Sequence, residues 1–211
     1  MSSSCCNNSV APGNSPNDLK FRRVLWIALV INAVMFVVEL YAGILANSSA
    51  LLADSADFLG DSANYAITLI VLPLAKVWRS RTALLKGLTM TLFALAILTF
   101  AVVNAFSQTI PAAITMGTVG FAALVANIFV AYLLYTFRDG DANSRSVWLC
   151  SRNDAISNIA VIFAAIAVFV FENRWPDIVV ALLIGGLVLH SGISVLRQAY
   201  QELKDNNRES T

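Results

Sequence analysis

The sequence predicts an all-α protein: an integral membrane bundle of six transmembrane helices with both termini in the cytoplasm. Apolar residues make up 58% of the 211 residues and charged residues only 13%, whereas soluble domains have about 25% charged residues. Six apolar segments are each long enough to cross a hydrocarbon core about 30 Å thick. With six spans, nearly all Lys and Arg residues lie on one side of the membrane, which indicates the orientation.

The predicted spans form one transport domain, residues 23–199, between a disordered cytoplasmic tail at 1–22 and a short cytoplasmic tail at 200–211. The N-terminal tail is rich in Ser, Asn, Pro and Gly. It has no short apolar core followed by a small-residue cleavage site, so it does not resemble a signal peptide. The six spans are expected at residues 24–46, 49–75, 84–106, 114–137, 142–171 and 178–199.

The orientation follows from Lys and Arg, because cytoplasmic loops are enriched in them. Thirteen of the fourteen fall on the side that holds both termini, and only Arg174 falls on the other. Both termini are therefore expected in the cytoplasm. Trp26, Trp78, Trp148 and Trp175 lie near the ends of predicted spans, as an interfacial aromatic belt would have them.

The composition also excludes several classes of protein. A net charge of +1 argues against nucleic-acid binding, which needs a basic face or stripe. The three cysteines, Cys5, Cys6 and Cys150, are an odd number and two are adjacent, so they make a poor disulfide framework. We expect free thiols in a reducing compartment.

Candidate ligands occur in two of the spans. Asp54, Asp57 and Asp61 lie on the second span at spacings of three and four, which puts them on one helical stripe. Ionised groups at the bilayer centre cost about 2.5–3.5 kcal/mol each, so this stripe should face protein or a water-filled cavity. The fifth span carries Cys150 and Asp154, again four residues apart.

Both ligand pairs are expected at the same depth. Each pair lies 8 to 12 residues from the start of its span, which is about 12–18 Å along a helix. The two spans start on opposite sides of the membrane, so both pairs reach the middle of a hydrocarbon core about 30 Å thick. The sequence thus predicts a metal pocket formed by Asp57, Asp61, Cys150 and Asp154.

Carboxylates and a thiolate suit a four-coordinate transition metal. Zinc takes sulfur, nitrogen and oxygen ligands tetrahedrally, and a thiolate adds a preference for softer ions such as cadmium. Calcium and magnesium prefer six or more oxygens. Fully deprotonated, the four side chains carry four negative charges, and like charges away from water raise one another's proton affinity. Protons should therefore replace the metal when it leaves, which is the physical basis of metal/proton exchange.

Two runs of residues resemble the cation diffusion facilitator family. The first is N-x3-F-x2-E-x3-G at Asn32, Phe36, Glu39 and Gly43, followed by SSALLADSADFLGD; the second is DANSRSVWLCSRNDAISNIAVIF. Asp177 matches the aspartate that commonly opens the sixth span of that family. The resemblance implies six transmembrane helices, divalent metal efflux driven by inward proton flow, and a homodimer. The expected location is the bacterial inner (plasma) membrane.

The resemblance covers roughly residues 23–197 and places the transport-site ligands of the family on Asp57, Asp61, Cys150 and Asp154. Asp57 and Cys150 stand where histidine is usual, and the first variant occurs among zinc and cadmium transporters. The His-rich loop between spans four and five and the C-terminal cytoplasmic domain of the family are not expected here. The predicted function is export of zinc, together with cadmium, in exchange for protons; no cofactor is expected.

Several alternatives remain open. The cargo could be cobalt, nickel, iron or manganese, because geometry and supply as well as affinity determine selectivity. The acidic face could instead export organic cations. An intramembrane serine protease would need a Ser–His pair and a Gly-x-Ser-x-Gly turn, and a zinc hydrolase would need H-E-x-x-H; the sequence has neither motif and only one histidine. A scaffold subunit would leave the buried acids unexplained.

Individual polar residues also have more than one interpretation. The aspartates could pair to lock helices together, and Cys150 could be a small buried hydrophobe. Glu39 and Asn32 are expected to line the bundle interior, where Glu39 could relay protons. Asp54 is expected to line the cavity, and His190 to be a packing residue. Three polar residues could either orient ligands or form hydrogen bonds between helices: Asn64, Ser157 and Asn158. The thiols of Cys5 and Cys6 could capture a soft metal or could have no role.

Overall fold

The computed structural model describes residues 16–71, 76–107, 109–136 and 142–209, and within these it describes the side chains of 19–70, 81–107, 109–136 and 154–204. The helices are α1 (Pro16–Ala46), α2 (Ser49–Ala66), α3 (Lys76–Phe106), α4 (Ala113–Tyr135), α5 (Ala142–Phe171) and α6 (Trp175–Glu209), and a π-helical turn, Ile67–Val71, continues α2. These ranges contain no strand, so the all-α class is confirmed.

Within the described residues, five of the six helices are long and apolar enough to cross a membrane. The qualifying segments are Leu19–Ala46, Arg81–Phe106, Ala113–Tyr135, Asp154–Phe171 and Trp175–Lys204. The predicted second span corresponds to α2 and its π-helical turn. It does not qualify, because three of the 18 residues of α2 are aspartates.

α2 is surrounded by the rest of the bundle. It contacts α1, α3, α5 and α6, while α3 packs along α6, α4 along α5, and α1 along α2 and α4. All residues from 49 to 56 are buried. A helix that is enclosed by protein does not expose its carboxyl groups to lipid, which explains how α2 can carry three aspartates.

The outer helices have the opposite pattern. On α1, the exposed residues Val30, Val34, Val37 and Tyr41 are 55–66% accessible, and their spacing places them on one helical face. Such an apolar outer face suits lipid rather than water. Two of the four tryptophans of the predicted belt, Trp26 and Trp175, are also exposed. The side chains of the other two lie outside the described residues.

The N-terminal end of α2 is anchored to α6. Asp177, in the first turn of α6, is fully buried. Its Oδ1 accepts hydrogen bonds from Ser48 Oγ at 2.6 Å and from the Ala50 amide at 3.0 Å, and its Oδ2 accepts one from the Ser49 amide at 2.8 Å. Ser48 Oγ in turn accepts a hydrogen bond from the Leu51 amide at 3.1 Å. The carboxylate thus lies between two helix N-termini, where helix dipoles favour negative charge.

Two helices extend beyond their apolar segments. α1 begins at Pro16, inside the range expected to be an N-terminal tail, and α6 continues to Glu209, inside the range expected to be a C-terminal tail. Proline is well tolerated in the first turn of a helix. The last residues of α6 include Gln, Glu, Leu and Lys, which favour helix strongly. Apolar periodicity marks the membrane-spanning part, so it underestimates helices that continue into water.

Glycines allow α3 and α6 to approach closely. A Cβ atom on Gly192 of α6 would lie 2.7 Å from Thr91 Oγ1 and 3.1 Å from the Thr91 amide nitrogen of α3. A Cβ atom on Gly87 of α3 would lie 2.9 Å from the Leu196 amide nitrogen of α6. Neither atom fits without a shift of the backbone, so both glycines set the distance between the helices.

We therefore expect Gly192→Ala to destabilise the protein by about 1–3 kcal/mol, the usual cost of overpacking. The measurement is the thermal unfolding midpoint of the purified protein in detergent. Gly186→Ala is the matched control, because a Cβ atom at that position on the same helix meets nothing within 4 Å. Equal midpoints for the two variants would contradict the tight α3–α6 contact.

Candidate metal site

The centre of the candidate site is a pair of carboxyl groups from two helices. The carboxyl groups of Asp61 on α2 and Asp154 on α5 lie within hydrogen-bonding distance of each other. Asp61 is 7% exposed, and Asp154 is half-buried. Two ionised carboxylates this close repel each other, so a proton or a cation between them stabilises the pair. The structure therefore brings the second and fifth predicted spans together at these two residues.

Two further side chains lie next to Asp61. The Tyr65 hydroxyl donates a hydrogen bond to Asp61 Oδ2 at 3.2 Å, and the charge of Lys86 on α3 attracts the Asp61 carboxylate. Lys86 Nζ also donates a hydrogen bond to Asn64 Oδ1. From the sequence, Lys86 is one of the cations that indicate orientation, and Tyr65 is not among the candidate residues. The spacing of four between Asp61 and Tyr65 is the signal that could have found the tyrosine.

The other two predicted ligands are placed differently. Asp57 lies one turn before Asp61 and is half-buried, and its charge acts on Glu39 of α1. No three His, Cys, Asp or Glu side chains in the described part of the chain lie close enough to hold a metal, so Asp57 does not join Asp61 and Asp154 in such a cluster. Cys150 belongs to α5, one turn before Asp154, but its side chain lies outside the described residues.

A second pair of carboxyl groups lies between α1 and α2. Glu39 is fully buried and Asp54 is 1% exposed, and their carboxyl groups lie close enough to interact. No donor among the described residues binds either oxygen of Glu39. Asn32, on α1, is buried as well and donates to the Ala28 carbonyl at 2.8 Å. The prediction that Glu39 and Asn32 line the bundle interior is confirmed.

The remaining candidates lie at several places. Asn158, one turn after Asp154 on α5, is fully buried, and Ser157 is half-buried. His190 is exposed on α6, so the prediction of a packing residue is wrong: the apolar periodicity around it does not reveal which face of α6 points outward. Cys5 and Cys6 lie outside the described residues.

Comparison with known proteins identifies the family. Residues 25–204 match the cation efflux transmembrane domain. The chain is 27% identical to a cadmium, cobalt and zinc/H(+)-K(+) antiporter of Bacillus subtilis (strain 168), over 94% of this chain and 68% of that protein. It is 28% identical to a protein of the same description from Bacillus velezensis (strain DSM 23117 / BGSC 10A6 / LMG 26770 / FZB42), over 87% of this chain and 63% of that protein. The chain thus spans about two thirds of the length of these relatives.

The family match agrees with the apolar helices and with the motifs of the first, second and fifth spans. The match covers far more than half of the chain, and the family consists of transporters rather than enzymes. The protein is accordingly a multi-pass integral membrane protein of the bacterial plasma membrane. It belongs to the cation efflux family, the cation diffusion facilitators.

Proposed function

We propose that the protein exports zinc and cadmium from the cytoplasm in exchange for protons by alternating access. The observation that carries this proposal is the close approach of the Asp61 and Asp154 carboxyl groups from two helices. Two carboxylates this close repel each other unless a cation or a proton lies between them, and alternation between these two is what metal/proton exchange requires. The antiporter description of the two Bacillus relatives supports the same function.

The proposed ligands are Asp57, Asp61, Cys150 and Asp154. Asp61 and Asp154 are the core of the site, because they link α2 to α5. Asp57 and Cys150 each lie one turn from a member of this pair. Residues at that spacing share a helical face, so Asp57 and Cys150 are the proposed third and fourth ligands. No resident cofactor is proposed, since the metal is the cargo.

Charge explains why protons and metal alternate. The four ligands carry four negative charges when deprotonated, and a divalent ion cancels two of them. Without the ion, mutual repulsion in a partly desolvated site favours protonation of the carboxyl groups. Each arriving ion must therefore displace protons, and each departing ion must be replaced by them.

Other cargoes are distinguished by one experiment. Cobalt is named with cadmium and zinc for both relatives, and nickel, iron, manganese and organic cations are the further alternatives. The purified protein is reconstituted into liposomes that contain a pH-sensitive dye, and each cation is added in turn. We expect proton flux with zinc and cadmium that scales with metal uptake. Flux with organic cations alone would contradict a metal transporter.

The proposal also includes the orientation of the protein in the membrane and its oligomeric state. Both termini face the cytoplasm and the transporter works as a homodimer, as the Lys and Arg distribution and the family resemblance imply. Thiol labelling of single cysteines introduced at either terminus, in right-side-out vesicles, tests the orientation. The mass of the protein in detergent, measured by light scattering, tests the dimer.

The thiol of Cys150 is expected to set the metal preference. Thiolates favour softer ions, so Cys150→His should shift the ratio of cadmium to zinc transport toward zinc by about tenfold, an energy difference of about 1.4 kcal/mol. The ratio of kcat/KM values for the two ions in proteoliposomes measures the shift. An unchanged ratio, in a variant that still transports zinc, would remove the thiol from the metal site.

A further inference from the structure

Lys86 of α3 places its ammonium group beside the acidic pair of α2 and α5. Its Nζ donates a hydrogen bond to Asn64 Oδ1, and its charge attracts the Asp61 carboxylate. Lys86 is half-buried and lies in the membrane-spanning part of α3. A cation in such a segment is costly unless opposite charges compensate it, so Lys86 and the acidic site stabilise each other.

Asn64 holds this ammonium group at one end of the site. Asn64 lies three residues after Asp61, one turn further along α2 on the same face. Lys86 therefore approaches Asp61 from the C-terminal end of α2. In the orientation proposed above, this end faces the cytoplasm, from which the metal arrives.

We propose that Lys86 is a tethered cation that competes with the divalent metal for Asp61. Its ammonium group compensates the acidic site when the metal is absent and withdraws from Asp61 when the metal binds. A lysine ammonium is a compact charge on a flexible four-carbon stem, so it can withdraw while Asn64 still accepts its hydrogen bond. This inference rests on the metal site proposed above.

Two consequences follow from the competition. Like charges repel more strongly in a protein than in bulk water, so Lys86 weakens metal binding and speeds metal release, as transport requires. A monovalent ion carries the same single positive charge as the ammonium group of Lys86, so it gains nothing by replacing that group beside Asp61. Lys86 therefore favours divalent over monovalent ions.

The test is zinc binding to the purified full chain, measured by isothermal titration calorimetry. Lys86→Gln removes the charge but keeps a donor for Asn64 Oδ1, so it should fold. We expect its Kd for zinc to fall by about tenfold or more, while Lys86→Arg, which keeps the charge, stays close to wild type. In liposomes, KM and kcat should both decrease for Lys86→Gln, because tighter binding slows release.

Lys204→Gln is the matched control, because it removes an exposed Lys charge at the far end of α6; its Kd for zinc should equal that of wild type.

Sodium chloride should weaken zinc binding to Lys86→Gln more than choline chloride does, and the two salts should have equal effects on zinc binding to wild type. If Lys86→Gln does not purify as a single species, Lys86→Met serves as the second neutral variant.

The outcomes separate this inference from the metal site itself. Wild-type protein that binds zinc, together with a neutral variant that binds it equally or more weakly, would overturn the role of Lys86 alone. Wild-type protein that binds no zinc would overturn the proposed site and the inference together. Tighter binding in the neutral variants and wild-type affinity in Lys86→Arg would support the inference.

Discussion

Asp154→Ala should abolish metal-dependent proton flux. The substitution removes one of the two carboxyl groups that approach each other between α2 and α5, and with it a proposed metal ligand. Loss of groups that merely orient a ligand costs about 10- to 100-fold, so loss of the ligand should reduce flux by about 100-fold or more. Asp57→Ala should have a similar effect. Flux is measured in proteoliposomes with an internal pH dye.

A loss of flux indicates a transport defect only if the variant is folded and inserted. Each variant should elute as a single species in size-exclusion chromatography and insert into liposomes in the same amount as wild type. Glu202→Ala is the control, because it neutralises an exposed acidic residue on α6 and should leave flux unchanged. Normal flux in either Asp57→Ala or Asp154→Ala would rule out the assigned ligands.

Asp177→Ala should destabilise the protein by about 2–4 kcal/mol. It leaves Ser48 Oγ and the amides of Ser49 and Ala50 without their buried acceptor. Each buried donor left unpaired costs about 1–3 kcal/mol, and loss of a helix cap costs about 0.5–2 kcal/mol. The thermal unfolding midpoint of the purified protein measures the effect.

Asp177→Asn separates the charge of Asp177 from its hydrogen bonds. The amide oxygen of the asparagine can still accept hydrogen bonds, whereas its amide nitrogen cannot. The thermal unfolding midpoint of Asp177→Asn should therefore lie between those of wild type and Asp177→Ala. Glu202→Ala, also on α6 but exposed, should not change the midpoint. If Asp177→Ala unfolds at the same temperature as Glu202→Ala, the anchor between α2 and α6 contributes nothing to stability.

The membrane class and the acidic face could be predicted from the sequence because both depend on local patterns. Long apolar segments reveal spans, and the spacing of Asp57 and Asp61 reveals a shared face. The proximity of Asp61 and Asp154 agrees with the depth expected for each pair in the bilayer and with the family resemblance. The full set of four ligands stays a prediction.

Contacts between side chains of different helices could not be predicted in this way. In the sequence, Lys86 looks like any other cation near the end of a span. Its position beside Asp61 could be predicted only if the rotation of α3 relative to α2 were known. Asp177 matched a family pattern, but its three donors lie at the start of another helix. His190 shows the same limit, because the exposed face of α6 depends on the packing of α6 against α3.

The spectrum of bound zinc tests the account most directly. X-ray absorption at the zinc edge is recorded on the Cys5→Ser/Cys6→Ser protein, in which Cys150 is the remaining thiol. One sulfur at about 2.3 Å and oxygens at about 2.0–2.2 Å are expected. Cys150→Ser should remove the sulfur, and Asp61→Ala should abolish stoichiometric binding. A sulfur-free spectrum in the starting protein, or the same spectrum in all three proteins, would contradict a metal ion shared by α2 and α5.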